Sequence, residues 1–133
     1  MHDLNDTFEI SAYLRESFIE KGHCVVRGLA SAEEIAHYKP AIDEATMQRR
    51  WDKRPLQERD TYGKAFIQSA ALCHHSDKVK EFVFAQRFAR VAAELLGVDG
   101  VRLYHDQALY KEPGGGFTPW HQDQVYWPLN TDR

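Results

Sequence analysis

Cysteine is scarce: Cys24 and Cys73 are the two in 133 residues, and no CxxC spacing links them. So sparse a framework excludes a disulfide-stapled secreted scaffold and favours a reducing compartment with two packed thiols. Long apolar runs are missing too. No stretch approaches the ~18 residues of a membrane-crossing helix, so no membrane partner is expected. The amino terminus, Met1-His2-Asp3-Leu4-Asn5-Asp6, places acid where a secretory leader would place positive charge, and no apolar block follows it. The expected location is cytoplasmic. Nor is there a surplus of positive charge: 17 Lys and Arg stand against 20 Asp and Glu, a net charge of −3. A phosphate-tracking protein needs a positive face, so nucleic acid is not the expected partner.

Apolar residues make up 43% of the chain and aromatics 12%, enough to exclude disorder and to fill the core of one domain. Ile10, Leu14, Phe18 and Ile19 fall at helical spacing between Phe8 and Lys21, and Gly22 sits where a helix-ending glycine belongs. Cys24-Val25-Val26, closed by Gly28, reads as a short strand. Ser31 and Glu34 form a capping-box signature for a helix through Ile35, Tyr38 and Ile42, in which Pro40 predicts a kink or break. Gln48 to Gly63 reads as a long charged surface loop, and Phe66-Ile67 as a brief strand. Ser76 caps a predicted helix through Val79, Phe82 and Val83. Phe88, Val91, Ala92, Leu95 and Leu96 make a strongly amphipathic helix ending at Gly97. Val101 to Lys111 is extended in character, Pro113-Gly114-Gly115-Gly116 is a turn or connecting loop, and Phe117 to Pro128 sets Trp120, Tyr126 and Trp127 beside His121 and Asp123. Helices fill the first hundred residues and strands gather at the end, an α+β order.

Trp120-His121-Gln122-Asp123 is the sharpest chemical feature. On a strand, alternation turns His121 and Asp123 to one face and Gln122 to the other. One imidazole and one carboxylate are two corners of a metal site, and a second histidine would complete the 2-His-1-carboxylate triad of non-haem Fe(II) oxygenases, with positions left open for oxygen. An HxD pair alone also suits a polar surface strand or a zinc hydrolase, so context decides. Other clusters carry less. In Cys73-His74-His75 adjacent side chains diverge and no second cluster exists to complete a zinc site. Arg49, Arg50, Lys53 and Arg54 around Trp51 read as a solvated basic patch compensated by Asp52, Glu58 and Asp60, or as a contact for an anionic substrate group. The triple glycine lacks the GK[ST] of a phosphate loop.

The runs Val101 to Lys111, Pro113 to Gly116, Pro119 to Gln124 and Tyr126 to Leu129, with Gly22 to Leu29 leading into Ser31-Ala32-Glu33-Glu34-Ile35, closely resemble the phytanoyl-CoA dioxygenase family. The resemblance spans nearly the whole chain and is most specific around His121. It implies a fold in which amino-terminal helices pack on the first strands of an incomplete double-stranded β-helix, a jelly-roll-like barrel. It implies Fe(II) as metal, 2-oxoglutarate as cosubstrate, and O₂ with a small organic molecule as the other reactants of a hydroxylation. Carried over, His121 and Asp123 match the family's first two iron ligands. Gln107 and Lys111 fall where members place groups near 2-oxoglutarate or substrate. Alternation puts both on one face with Leu103, His105 and Leu109, where Gln107 can offer an amide donor to a carboxylate and Lys111 a positive charge.

The family's third ligand, a histidine, and its arginine for the far carboxylate of 2-oxoglutarate lie well after HxD. Ten residues follow Asp123 here, none of them His, and the last is Arg133; His2, His23, His37, His74, His75 and His105 all precede the motif. The expectation is therefore that residues 1–133 are the amino-terminal portion of a single oxygenase domain continuing past residue 133, inactive by itself. The alternative is a non-catalytic relative serving as a binding or assembly module. Substrate identity and oligomeric state are not legible in the sequence.

Overall fold

The structure is a computed structural model that describes residues 4–127. Local signals set most helix ends. Helix α1 (Ala12–Lys21) starts where the Ser11 hydroxyl accepts the Leu14 N–H at 3.3 Å, and ends at Gly22, whose φ of +73° lets its own N–H reach the Phe18 carbonyl at 2.8 Å. The start is later than the apolar spacing predicts, because Ser11 takes the cap and leaves Phe8 and Ile10 in the extended approach. Helix α2 (Ala32–Arg49) opens on the expected capping box: the Ser31 N–H donates to Glu34 Oε2 at 2.7 Å and the Glu34 N–H to Ser31 Oγ at 3.1 Å. The expected break at Pro40 does not occur. Buried Tyr38 on one side and buried Ala45 and Thr46 on the other hold the helix through a residue that costs about 3 kcal/mol in a helix interior.

Helix α2 also absorbs the start of the predicted 48–63 loop, and the rest of that loop contains a 3-10 turn, Leu56–Glu58. Helix α3 (Asp77–Val83) is capped by Ser76 as predicted, and α4 (Gln86–Leu96) ends at Gly97 with φ +65°. Two apolar clusters join these helices. Leu4, Tyr38 and Ala85 pack with Ala30, Ile42, Phe82 and Phe88; Ala45, Leu72 and Val79 pack with Ile42, Val83 and Ala108. Ile42 belongs to both, so α2 is the spine of the core. Beneath it lies a charged knot. The Arg87 guanidinium, 6% exposed, donates to both oxygens of Glu34 at 2.8 and 2.9 Å, to Asp6 at 2.6 Å and to the Leu29 carbonyl at 2.9 Å. Those bonds and the Ser31 N–H hold the Glu34 carboxyl down at about 2.

Strands β1 (Ile67–Ala70) and β2 (Gln107–Tyr110) form an antiparallel pair, with Ile67 opposite Tyr110 and Ala70 opposite Gln107. Ala108 and Tyr110 turn inward, and the Tyr110 hydroxyl donates to Asp43 of α2 at 2.6 Å. Gln107 and Leu109 lie on the exposed face. Just before β2, Asp106 caps a 3-10 turn, Leu72–His74, from across the chain. Its carboxylate accepts the Leu72 and Cys73 N–H groups at 2.8 and 3.3 Å, and its carbonyl accepts Ala71 N–H at 3.0 Å. Burial, with that carboxylate beside it, pushes the Cys73 thiol up to about 11. Cys24 and Cys73 are both free thiols.

The α+β class holds, and the strand expectations shrink. Cys24-Val25-Val26 is extended but unpaired, with Val25 exposed, because β-branched residues make a strand only against a neighbour they can pack on. Of the run from Val101 to Lys111, four residues are strand. Phe117 to Trp127 contains a single 3-10 turn, Asp123–Val125; Pro128, which closed the predicted segment, lies outside the described residues. Two strands make up the sheet of the described residues, which contain no jelly-roll barrel. No helix among them is long and apolar enough to cross a membrane.

Candidate metal site

The loop carrying His121 and Asp123 leaves β2 through the glycine turn. Gly114 takes φ +75°, which favours glycine, and the Gly115 and Gly116 N–H groups donate to the Glu112 and Lys64 carbonyls at 3.0 and 2.7 Å. The loop then runs outward with Phe117 and Trp120 exposed. Asp123 opens the 3-10 turn, and its carbonyl accepts the Tyr126 and Trp127 N–H groups, both at 2.9 Å. Beyond the turn, the Trp127 ring lies 4.6 Å from the His105 ring and 5.6 Å from that of Tyr104.

His121 and Asp123 converge although no strand presents them: His121 Nε2 lies 3.3 Å from Asp123 Oδ1, with the side chains 48% and 78% exposed. His121 Nδ1 is 2.9 Å from the Pro119 carbonyl oxygen. A carbonyl accepts only, so Nδ1 carries the proton and donates. In the neutral ring, Nε2 then turns a lone pair toward a carboxylate oxygen. Two electron-rich atoms so close repel unless a proton or a cation lies between them. The donor set fits a divalent transition metal, imidazole nitrogen plus carboxylate oxygen. The carbonyl behind Nδ1 is the outer partner that metal-bound histidines use to fix ring orientation. The pair is not a complete cage: among the described residues no group of three His, Cys, Asp or Glu side chains gathers to hold a metal.

Gln107 projects from the exposed face of β2. The Lys111 ammonium donates to the Gly116 carbonyl at 3.0 Å and lies 4.3 Å from the Phe66 ring centre, leaving two of its three donors unused among the described residues. No hydrogen bond joins either side chain to His121 or Asp123 among the described residues. Cys73 is buried in its 3-10 turn. The basic patch is partly neutralised as expected, Arg54 gripping both oxygens of Asp52, with Arg54 Nη2 2.6 Å from Oδ2. Sequence reasoning missed the contacts at the two feet of the metal loop. His105 beneath Trp127 left no local signal, and the ion pair of Arg59 with Glu112 joins residues 53 positions apart.

A mixed α/β chain that presents an imidazole–carboxylate pair from a glycine-hinged loop has the makings of a metal-dependent protein. This chain belongs to the phytanoyl-CoA dioxygenase (PhyH) family, whose family model matches residues 18–133. That family is known for Fe(II)- and 2-oxoglutarate-dependent oxygenases. Neither the curated proteins nor the solved structures contain a match to this chain.

Proposed function

We propose that this chain carries part of the iron site of an Fe(II)- and 2-oxoglutarate-dependent dioxygenase that hydroxylates a small organic substrate in the cytoplasm. What supports the reading is the approach of His121 Nε2 to Asp123 Oδ1 at 3.3 Å, with Nδ1 committed to Pro119. In a member of this family, that pair is the cation-seeking half of a facial triad. With O₂ as oxidant, Fe(II) and 2-oxoglutarate would supply oxidative decarboxylation, one oxygen atom entering succinate as CO₂ leaves and the other entering the C–H bond that is hydroxylated. The chain's own part is to hold and orient. His121 presents one lone pair, fixed in direction by the Pro119 carbonyl; Asp123 adds a negative oxygen beside it. Gln107 offers an amide donor and Lys111 its two remaining ammonium protons to the carboxylates of 2-oxoglutarate. The third iron ligand comes from outside the described residues, and the 133-residue polypeptide alone turns over little or nothing. Exposed Phe117, Trp120 and Tyr126 favour the second reading, a non-catalytic binding module.

Metal titration separates the two readings. Fe(II) under anaerobic conditions is expected to bind the wild-type chain, and His121→Ala and Asp123→Ala each to weaken it about tenfold or more. A charge-transfer absorption on adding 2-oxoglutarate would join cosubstrate to metal. Equal binding by wild type and both variants sinks the oxygenase reading, and stoichiometric succinate from this chain sinks the claim that it is inactive.

A further inference from the structure

The glycine turn does not swing freely from β2. It rests on the 52–65 loop, and the contacts form one continuous series. Asp52 holds Arg54; the Arg54 carbonyl accepts Arg59 Nε–H at 2.8 Å; and Arg59, 7% exposed, forms an ion pair with Glu112 at the end of β2. The Glu112 carbonyl accepts Gly115 N–H, the Lys64 carbonyl accepts Gly116 N–H, and the Lys111 ammonium closes on the Gly116 carbonyl. The backbones are so close that a Cβ on Gly115 would sit 2.8 Å from the Lys64 carbonyl oxygen and 3.0 Å from that of Glu112. Gly115 is therefore glycine because another backbone lies against it. A buried guanidinium spent on one carboxylate at the root of an exposed loop serves placement, since a buried ion pair is a weak source of net stability.

We infer that the 52–65 loop is the seat of the loop carrying His121 and Asp123, and that Arg59 is the positioning residue that locks it through Glu112. The consequence for metal rests on the proposed reading of that pair; the seat itself does not. From this foot at Gly115 and Gly116 the chain spans outward and returns to the segment before β2, where the Trp127 ring meets that of His105, so the His121–Asp123 pair hangs between two contacts. A donor pair held this way loses little freedom when it closes on a cation.

The test combines amide hydrogen exchange of the metal-free chain with Co(II) titration followed by its visible spectrum, on wild type, Arg59→Ala, Arg59→Lys, Glu112→Gln, Gly115→Ala and His121→Ala. Gly115→Ala and Arg59→Ala are expected to speed exchange at Gly115 and Gly116 and leave α2 unchanged. They should weaken Co(II) about tenfold, with Arg59→Lys recovering part of the loss. His121→Ala should lose Co(II) and keep wild-type exchange. If Arg59→Ala fails to fold, Glu112→Gln and Gly115→Ala decide the matter. Wild-type exchange at Gly115 and Gly116 in both overturns the seat, and faster exchange with wild-type Co(II) affinity and spectrum overturns Arg59 as a positioning residue for the His121–Asp123 pair. A wild-type chain that takes up no Co(II), yet whose Gly115→Ala variant exchanges faster, keeps the seat and removes the metal reading.

Discussion

Two polar pairs in different parts of the chain show how burial divides structure from chemistry. In the helical half, Glu34 receives Arg87 on both oxygens and the Ser31 N–H as well, in a setting only 7% exposed. Both oxygens of that carboxylate accept from donors of the chain. In the carboxyl-terminal loop, Asp123 Oδ1 lies 3.3 Å from His121 Nε2, and both side chains are open to solvent. The first pair is saturated and can only hold the fold together. The second is open to solvent and leaves room for a proton or a cation between its two atoms.

Predictions follow that contrast in order of size. Removing Glu34 as Glu34→Ala leaves a buried guanidinium without its main partner and should cost about 3–5 kcal/mol in urea denaturation, whereas His121→Ala should stay within about 0.5 kcal/mol of wild type. Equal losses would erase the distinction. Next comes pH. The Glu34 carboxyl sits at about 2 in the folded chain against 4.5 for the free group, so its contribution is complete above about 4.5 and is lost as pH falls toward about 2. The amount is on the order of 3 kcal/mol, and Glu34→Gln should flatten that part of the stability profile; an unchanged slope would argue against the knot. A smaller effect belongs to Asp106: Asp106→Ala strands the Leu72 and Cys73 N–H groups and should cost about 1–2 kcal/mol. Smallest is a reactivity difference. With its thiol pushed up to about 11, Cys73 should resist iodoacetamide in the native chain while the half-buried Cys24 is alkylated, and Asp106→Ala should make Cys73 easier to ionise. Peptide mapping reads both, and preferential labelling of Cys73 would contradict its burial.

The legible parts of this chain were those whose cause lies within four residues. Ser31 with Glu34, Ser76 before Val79, and Gly22 and Gly97 at helix ends all act through bonds of short sequence reach, and all appear where expected. His121 and Asp123 belong here too. The spacing brought them together, though through the Pro119 contact and a 3-10 turn instead of strand alternation. The misread parts depended on distant neighbours. Cys24-Val25-Val26 has strand composition and no strand beside it. Pro40 has breaking chemistry inside a helix that packing will not release. The supposed surface loop around Pro55 buries Arg59, whose carboxylate partner is 53 residues away.

By itself, then, the sequence determined the caps at Ser31, Ser76, Gly22 and Gly97, the α+β order and the family, because capping bonds and apolar periodicity are written in adjacent positions. Only the tertiary structure decided which charges are buried and which stay open, which glycine is pressed against another backbone, and where the loop carrying His121 and Asp123 is anchored. Those outcomes depend on burial and on partners far along the chain, and desolvation acts on a side chain only once the fold has closed around it.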